Sequence, residues 1–397
     1  MPLAALILAQ SDGDTGAATQ PLLLTLGGQT LMERIAYQAR RAGAQHIVIC
    51  AGPLPAAMVG AMDRMKARGL DVSLARSPRE AADRLHPDED VLVFSTAVFV
   101  QEAEFEQLAQ GDGALLLTLP EAWGRDRFER IDGEDNWAGV ARLPASLIRE
   151  TVAMLGDWAF APTLLRRAVQ QGAARARLAL KDEAETDDIA PLVQEDLSGT
   201  AKAIARNADV SAEGVVERFA LMPPLRHLAS WIALKPVSAT MTAAAAIAGG
   251  FATLVAAAAN IPLAAFALLV LTAAIALLTV LLGQTGIPEI KSLARFLRWR
   301  GLLMPVIVII VAAHGFAGWR GDWPNAVLAL WLGVQSLLLL HAQVHGAKLP
   351  DMRLGGVGQA VLLFAGFAAG WPIIGLGLCV VEAVALQFRV QNKKITG

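Results

Sequence analysis

The sequence predicts two halves of different physical character. Residues 1–205 read as a layered α/β domain with a mostly parallel sheet, and 237–397 as an all-α polytopic membrane domain of about six helices. Residues 206–236 form the linker between them. Three observations carry this reading. Charge is divided: ten of the 34 Lys and Arg and four of the 36 Asp and Glu fall in 236–397, leaving 24 basic and 32 acidic residues in 1–235. Short apolar runs of strand length alternate with helical patterns in the front half, the signature of α/β layering. From Val237 onward, apolar stretches approach the ~20 residues that cross ~30 Å of hydrocarbon.

In the front half, LAALILA, HIVICA, VLVFSTAVFV and GALLLTL are the candidate strands. LMERIAYQARRAGA, AAMVGAMDRMKARG and QEAEFEQLAQ are the helical segments between them. The start, MPLAALILAQSDGD, has no basic region before its apolar residues and turns acidic after them, so it reads as a buried strand rather than a signal peptide. The front domain is therefore expected in the cytoplasm. A hydrophobic content of 55%, a charged content of 18% and a net charge of −2 argue against a disordered or nucleic-acid-coating protein. Cys50 and Cys379 lack the spacing of a metal site or disulfide framework and read as buried thiols.

Six stretches qualify as crossings: about 238–259, 263–283, 302–319, 326–343, 355–370 and 372–389. The last two are short and share a tight turn, which leaves five or six. Lys and Arg near span ends favour the cytoplasmic side. Arg226 and Lys235 precede the first stretch, and Lys291, Arg295, Arg298 and Arg300 separate the second from the third. Lys348 and Arg353 precede the fifth, and Arg389, Lys393 and Lys394 follow the sixth. Every second loop is basic, which places both termini inside an integral protein of the cytoplasmic (inner) membrane. The first two stretches are rich in Ala and Gly and are expected to pack inside the bundle. Trp319, Trp323 and Trp371 fall at interfaces, where indole rings lodge. In the linker, Leu225, Leu228, Ala229, Trp231 and Ile232 recur at near-helical spacing, with Arg226 and His227 on the other side. That pattern suits either a helix lying among lipid headgroups or a plain linker helix.

Ligands of parallel α/β sheets bind on loops after the carboxyl ends of strands. The first such loop, QSDGDTGAATQ, has two glycines and small residues that expose backbone N–H groups to a phosphate, but it carries Asp12 and Asp14 and no cation. The run ALILA, this loop, then QPLLLTLGGQTLMERIAYQARRAGAQHIVI resembles the opening of the sugar-nucleotide and cytidylyl nucleotidyltransferases. The resemblance covers about residues 3–200 and implies their Rossmann-like fold. It also implies an arginine in the loop and a lysine before Pro-Leu-Leu, both gripping a triphosphate. Here the loop has no arginine, and Gln20 stands before Pro21. The family's metal-holding Asp after the fourth-strand region is replaced by Ser95 and Thr96, and its late Asp has a loose counterpart at Asp187 or Asp188 in ETDDI. The candidate nucleotide-binding positions are accordingly Gly13, Asp14, Gly16, Gln20, Asp187 and Asp188.

The junction GVVERFALMPPLRHLASWIALKPVSATMTAAAAIAGG resembles that of proteins in which such a nucleotidyltransferase is fused to a CDP-alcohol phosphatidyltransferase. Those fusions make a CDP-activated polyol and transfer it to a second alcohol at the membrane. Their signature is D-x-x-D-G-x-x-A-R followed, after a spacer, by G-x-x-x-D-x-x-x-D. Carboxylates one helical turn apart share a face, hold divalent cations and neutralise the diphosphate. With Gly286 and Gly301 as the motif glycines, the Asp positions become Leu282, Thr285, Pro305 and Ile309, and Ala-Arg becomes Glu289-Ile290. No Asp lies between residues 210 and 321, and Glu289 alone does not assemble a two-metal site.

No catalytic or metal-ligating set survives. The expectation is a non-catalytic relative of these fused enzymes, acting in phospholipid or polyol-lipid synthesis as a partner or binding subunit. It would work with the bilayer, a catalytically intact homologue or, as the resemblance implies, a second copy, and not with nucleic acid. No cofactor is expected. One rival is a divergent transferase using Asp12, Asp14, Asp187 and Asp188, for which magnesium or manganese would be required. Another is a scaffold or transporter with a reused front domain. Lys291, Arg295, Arg298 and Arg300 are candidates for anionic lipid headgroups, although topology alone also explains them. Glu382, inside the sixth stretch, costs about 3 kcal/mol there as a bare carboxylate and is expected to face the interior, toward Arg389 or a hydroxyl, or to be protonated. His341 and His345 share a helix face but lack a third ligand, and WGRDRFERIDGEDNW reads as a solvated hairpin.

Overall fold

A computed structural model describes residues 2–9, 21–178 (without 53, 96, 99, 101, 112, 124–127 and 157), 196–207, 214–285 (without 260), parts of 327–339, and 353–396. The chain divides into two compact units. One is Met1–Ala201 with Leu234–Pro236, and the other is Lys202–Ala233 with Val237–Gly397.

The first unit is built on a mostly parallel sheet. Its elements are β1 (Leu3–Leu8), a small hairpin β2 (Thr25–Leu26) and β3 (Gln29–Thr30), α1 (Leu31–Arg41), β4 (Ala44–Cys50), α2 (Ala56–Ala67), β5 (Val72–Ala75) and α3 (Pro78–Asp83). Then follow β6 (Asp90–Phe94), α4 (Glu102–Gln110), β7 (Leu115–Pro120), β8 (Glu129–Arg130), β9 (Asp135–Pro144), α5 (Ala145–Ala153), α6 (Phe160–Gln170) and β10 (Ala174–Arg177). The strand order is β10-β7-β9-β6-β1-β4-β5, with β8 added to β9. Strands β1, β4, β5 and β6 run parallel, and β9 runs antiparallel to β6, β7 and β8. All six residues of β1 are buried, as a strand covered on both faces requires.

Local chemistry explains the element ends. Gly27 and Gly28 adopt φ of 64° and 76°, the paired positive values of a two-residue hairpin turn between β2 and β3. Thr30 then caps α1 reciprocally with Glu33: the Glu33 N–H donates to Thr30 Oγ1, and the Thr30 N–H donates to Glu33 Oε2 at 2.9 Å. Ser77 caps α3, with Pro78 in the first turn.

The structure holds more strands than the apolar runs suggest. The run VLVFSTAVFV is strand only to Phe94. The mixed-charge stretch is a hairpin, since Glu129 and Arg130 face Trp137 and Asn136. Its second arm departs from the solvated expectation: it continues as β9 into the middle of the sheet, with Asp135 through Leu143 buried.

The second unit is helical among the described residues. After α7 (Leu197–Asn207), which spans the division between the units, come a π-turn at Glu217–Leu221 and α8 (Met222–Ala233). Next come α9 (Ala239–Ala258), α10 (Pro262–Thr285), α11 (Gly355–Ala368) and α12 (Pro372–Thr396). Its core joins Ala257, Phe266 and Ala273 to Leu363, Phe367 and Leu376, with the Phe266 and Phe367 ring centroids 5.4 Å apart.

Two described helices, Ala239–Ala258 and Leu263–Gly283, are long and apolar enough to cross a membrane. They match the first two expected stretches. The stretch 302–319 and much of 326–343 lie outside the described residues. The stretch 355–370 is a helix of only 14 residues, about 21 Å at 1.5 Å per residue. Helix α12 begins two residues past Gly370, whose φ of 76° makes the expected tight turn. Interior packing holds for α10, with 67% of its apolar window buried, but not for α9, with 28%. Phe251 and Val255 of α9 point outward, because its small residues rather than its large ones meet α10.

Candidate functional site

The strand order reverses at β1. From there the chain lays β4 and β5 on one side and then returns to place β6 on the other. Outside the carboxyl ends of β1 and β6 is where an open α/β sheet forms its ligand crevice. The described residues at this point include Leu8, which ends β1, and Ala9 after it, and Phe94, which ends β6, and Ser95 after it. The Ala9 N–H donates to the Cys50 carbonyl at 2.8 Å, which fixes where the first loop leaves the sheet.

Ser95 is held by its neighbour strand. Its N–H donates to the Gly139 carbonyl at 2.8 Å, and its hydroxyl donates to the same oxygen at 3.2 Å. The geometry comes from a bulge in β9. Pairing shifts register between Leu116 and Thr118, and Gly139 takes φ of 83°, a conformation that favours glycine. The Trp137 indole N–H closes the bulge on the Val140 carbonyl at 3.0 Å. Ser95 thus offers lone pairs to a donor but no negative charge.

Charged groups along the same edge are paired. Arg76, just past β5, donates through Nη1 to the Gly52 carbonyl at 2.8 Å, and its N–H donates to Glu80 at 2.7 Å. That N–H, and then Arg84, hold the Glu80 carboxyl below the usual range. At the β7–β9 end, Asp135 accepts from Arg177 at 2.6 Å and Arg175 at 3.3 Å. Asp132 accepts the Glu134 and Asp135 N–H groups and an Arg175 bond at 2.6 Å. The Glu134 N–H, followed by Arg175, pulls the Asp132 carboxyl down to about 2. Cys50, at the end of β4, is fully buried, and burial pushes its thiol up to about 11.

The resembled nucleotidyltransferases imply a divalent cation at this edge. The described side chains do not fit one: Ser95 is a neutral hydroxyl already donating, and Asp135 is neutralised by two guanidinium groups. Among the described residues no group of three His, Cys, Asp or Glu side chains is placed to hold a metal.

Of the sequence-derived candidates, Asp12, Gly13, Asp14, Gly16, Gln20, Thr96, Asp187 and Asp188 lie outside the described residues. So do Lys291, Arg295, Arg298, Arg300, His341 and His345. Glu382 is described, and its partners differ from the expected Arg389 or hydroxyl. Its Oε1 accepts the N–H of Leu354, at the start of α11, and its Oε2 accepts Gln359 Nε2 at 3.1 Å. An antiparallel neighbour presents its N-terminus beside Glu382, where unsatisfied N–H groups and the helix dipole favour a carboxylate. Arg389 sits almost two turns further along and is exposed.

Sequence reasoning missed two ion pairs built on buried acids. Arg64 donates to both oxygens of Glu33 at 2.9 Å, and Arg142 meets Asp90 at 2.6 Å between β9 and β6. Arg142 in the otherwise apolar run WAGVARLPASL was the available signal, since a cation in a central strand needs a buried acid.

No family model matches this chain, and no curated protein matches it. Among solved structures it is similar to a UTP-bound UGPase from Acinetobacter baumannii, at 10% identity and a TM-score of 0.31, over 45% of this chain and 87% of that one. The α/β assignment of the first unit rests on its own strand order and register rather than on this likeness.

Proposed function

We propose that the protein is a membrane-inserted, non-catalytic relative of the fused nucleotidyltransferase–CDP-alcohol phosphatidyltransferases, serving lipid or polyol-lipid synthesis as a binding or partner subunit. The observation that carries the reading is Ser95. It stands at the strand-order reversal, where the resemblance calls for a metal-holding carboxylate, and its hydroxyl is committed to Gly139. The absence of any Asp between residues 210 and 321 supports the same reading for the membrane half. Insertion is supported by two helices long and apolar enough to span. The basic loops favour cytoplasmic termini.

The test is a transfer assay on the purified full chain, supplied with CTP and a phospho-alcohol, or with a CDP-alcohol and an acceptor, and with magnesium or manganese. No product above the no-enzyme rate is expected. Turnover overturns the proposal, and turnover abolished by replacing Asp12, Asp14, Asp187 and Asp188 with Asn would establish the divergent transferase instead.

A further inference from the structure

The segment Glu217–Ala233 has an inside and an outside. Met222, Leu225, Ala229 and Ala233 are buried, and α8 packs on α10. The other side is open, yet it is not polar: Phe219 is 70% exposed, Leu228 40% and Trp231 59%. The sequence pattern placed Leu225, Leu228, Ala229, Trp231 and Ile232 on one face. The structure separates them, turning Leu228 and Trp231 outward beside His227.

The charges of this segment are one-sided. Its one acid, Glu217, is buried. Arg218 and His227 are exposed, and Arg226 is half-buried with an Nε that is shielded from water and has no hydrogen-bond partner among the described residues. A face of aromatic and aliphatic side chains fringed by two arginines and a histidine, with its one acid buried, matches an anionic lipid surface. Position adds to this: α8 ends at Ala233, and α9, long enough to cross, begins at Ala239.

We infer that the outer face of Glu217–Ala233 lies in the headgroup layer of an anionic bilayer. Phe219, Leu228 and Trp231 enter the upper acyl region, while Arg218, Arg226 and His227 meet lipid phosphates. The inference rests on the proposed membrane insertion and assigns the lipid class that the segment recognises.

The full chain carrying Phe219→Cys or Trp231→Cys is labelled with an environment-sensitive fluorophore and placed in phosphatidylcholine nanodiscs with or without phosphatidylglycerol. Both positions are exposed, so labelling leaves the core intact. Cys50 and Cys379 are fully buried, so the native chain treated alike supplies the blank. Phe251→Cys on α9 and Asp63→Cys on α2 are the controls. Labels at 219 and 231 are expected to be quenched more by a nitroxide near the headgroup than by one deep in the chains, and more so with phosphatidylglycerol. The label at 251 is expected to be quenched by the deep nitroxide, and that at 63 by neither. Deep quenching at 251 with none at 219 and 231 overturns this inference and leaves insertion standing, as does protection of 219 and 231 by a bound protein. No quenching at 251 overturns insertion itself. Adding Arg218→Gln and Arg226→Gln should remove at least half of the phosphatidylglycerol effect; an undiminished effect overturns the role given to the cations.

Discussion

Ser95 and Gly139 are joined twice through one oxygen, the backbone N–H at 2.8 Å and the hydroxyl at 3.2 Å. The hydroxyl bond is the replaceable one, because the N–H bond alone continues the β6–β9 pairing past Phe94 and Val140.

Replacing the two residues should therefore have unequal effects. Gly139→Ala forces an L side chain into φ of 83° and should cost about 1–2 kcal/mol. Ser95→Ala gives up one neutral hydrogen bond, about 1 kcal/mol or less. Urea unfolding of the detergent-solubilised chain, followed by tryptophan fluorescence, should place the Gly139→Ala midpoint lower.

Asp90 and Arg142 form a pair whose side chains are 9% and 11% exposed. Removing one partner strands a buried charge, which costs about 3–5 kcal/mol. Asp90→Leu together with Arg142→Met should be milder than either single change. A double-mutant cycle reads the coupling directly; additive losses would contradict the pairing.

Helices α9 and α10 approach closely at Gly249 and Thr272. A Cβ on Gly249 would come within 2.6 Å of Thr272 Oγ1, which itself donates to the Leu268 carbonyl at 2.7 Å. Gly249→Ala should lower thermal stability in detergent. Thr272→Ala in the same chain should restore most of the loss, because the obstructing atom is gone.

Asp132 links stability to acid. Its folded carboxyl titrates at about 2, below the ~3.9 of an unfolded Asp. A depressed value means a contribution that is present above pH ~4 and lost as pH falls toward 2. Asp132→Asn should flatten the stability profile in that window. Arg175→Met should raise the Asp132 midpoint in a carboxyl NMR titration only part of the way, since the Glu134 N–H is the larger cause.

The strands that showed in the sequence are those at the centre of the sheet. LAALIL and VLVF are buried on both faces and so read as unbroken apolar runs. Edge strand β10 is Ala-Arg-Ala-Arg, with both arginines exposed, and carries no apolar signal. Central strand β9 hid behind an acidic start, a bulge at Gly139 and a charge at Arg142, each of which breaks a period-two pattern. Glu382 was legible as an ionisable group in an apolar stretch. Its partner was not, because the Leu354 N–H comes from a residue 28 positions away. Ser95 was visible as a replaced carboxylate, but the bond to Gly139 depends on a strand 44 residues on.

Among the described residues the main run of the sheet ends in two margins, β10 and β5, and they are guarded differently. At β10, Arg175 and Arg177 flank an outer backbone edge that no described strand pairs, and they are tied to Asp132 and Asp135. An incoming foreign strand would have to dislodge those guanidinium groups before pairing, which protects the margin against runaway fibre growth. At β5 the guard is brevity: Val72–Ala75 offers only four residues of template. Replacing the β10 arginines with valines would therefore turn a guarded margin into a seed for aggregation.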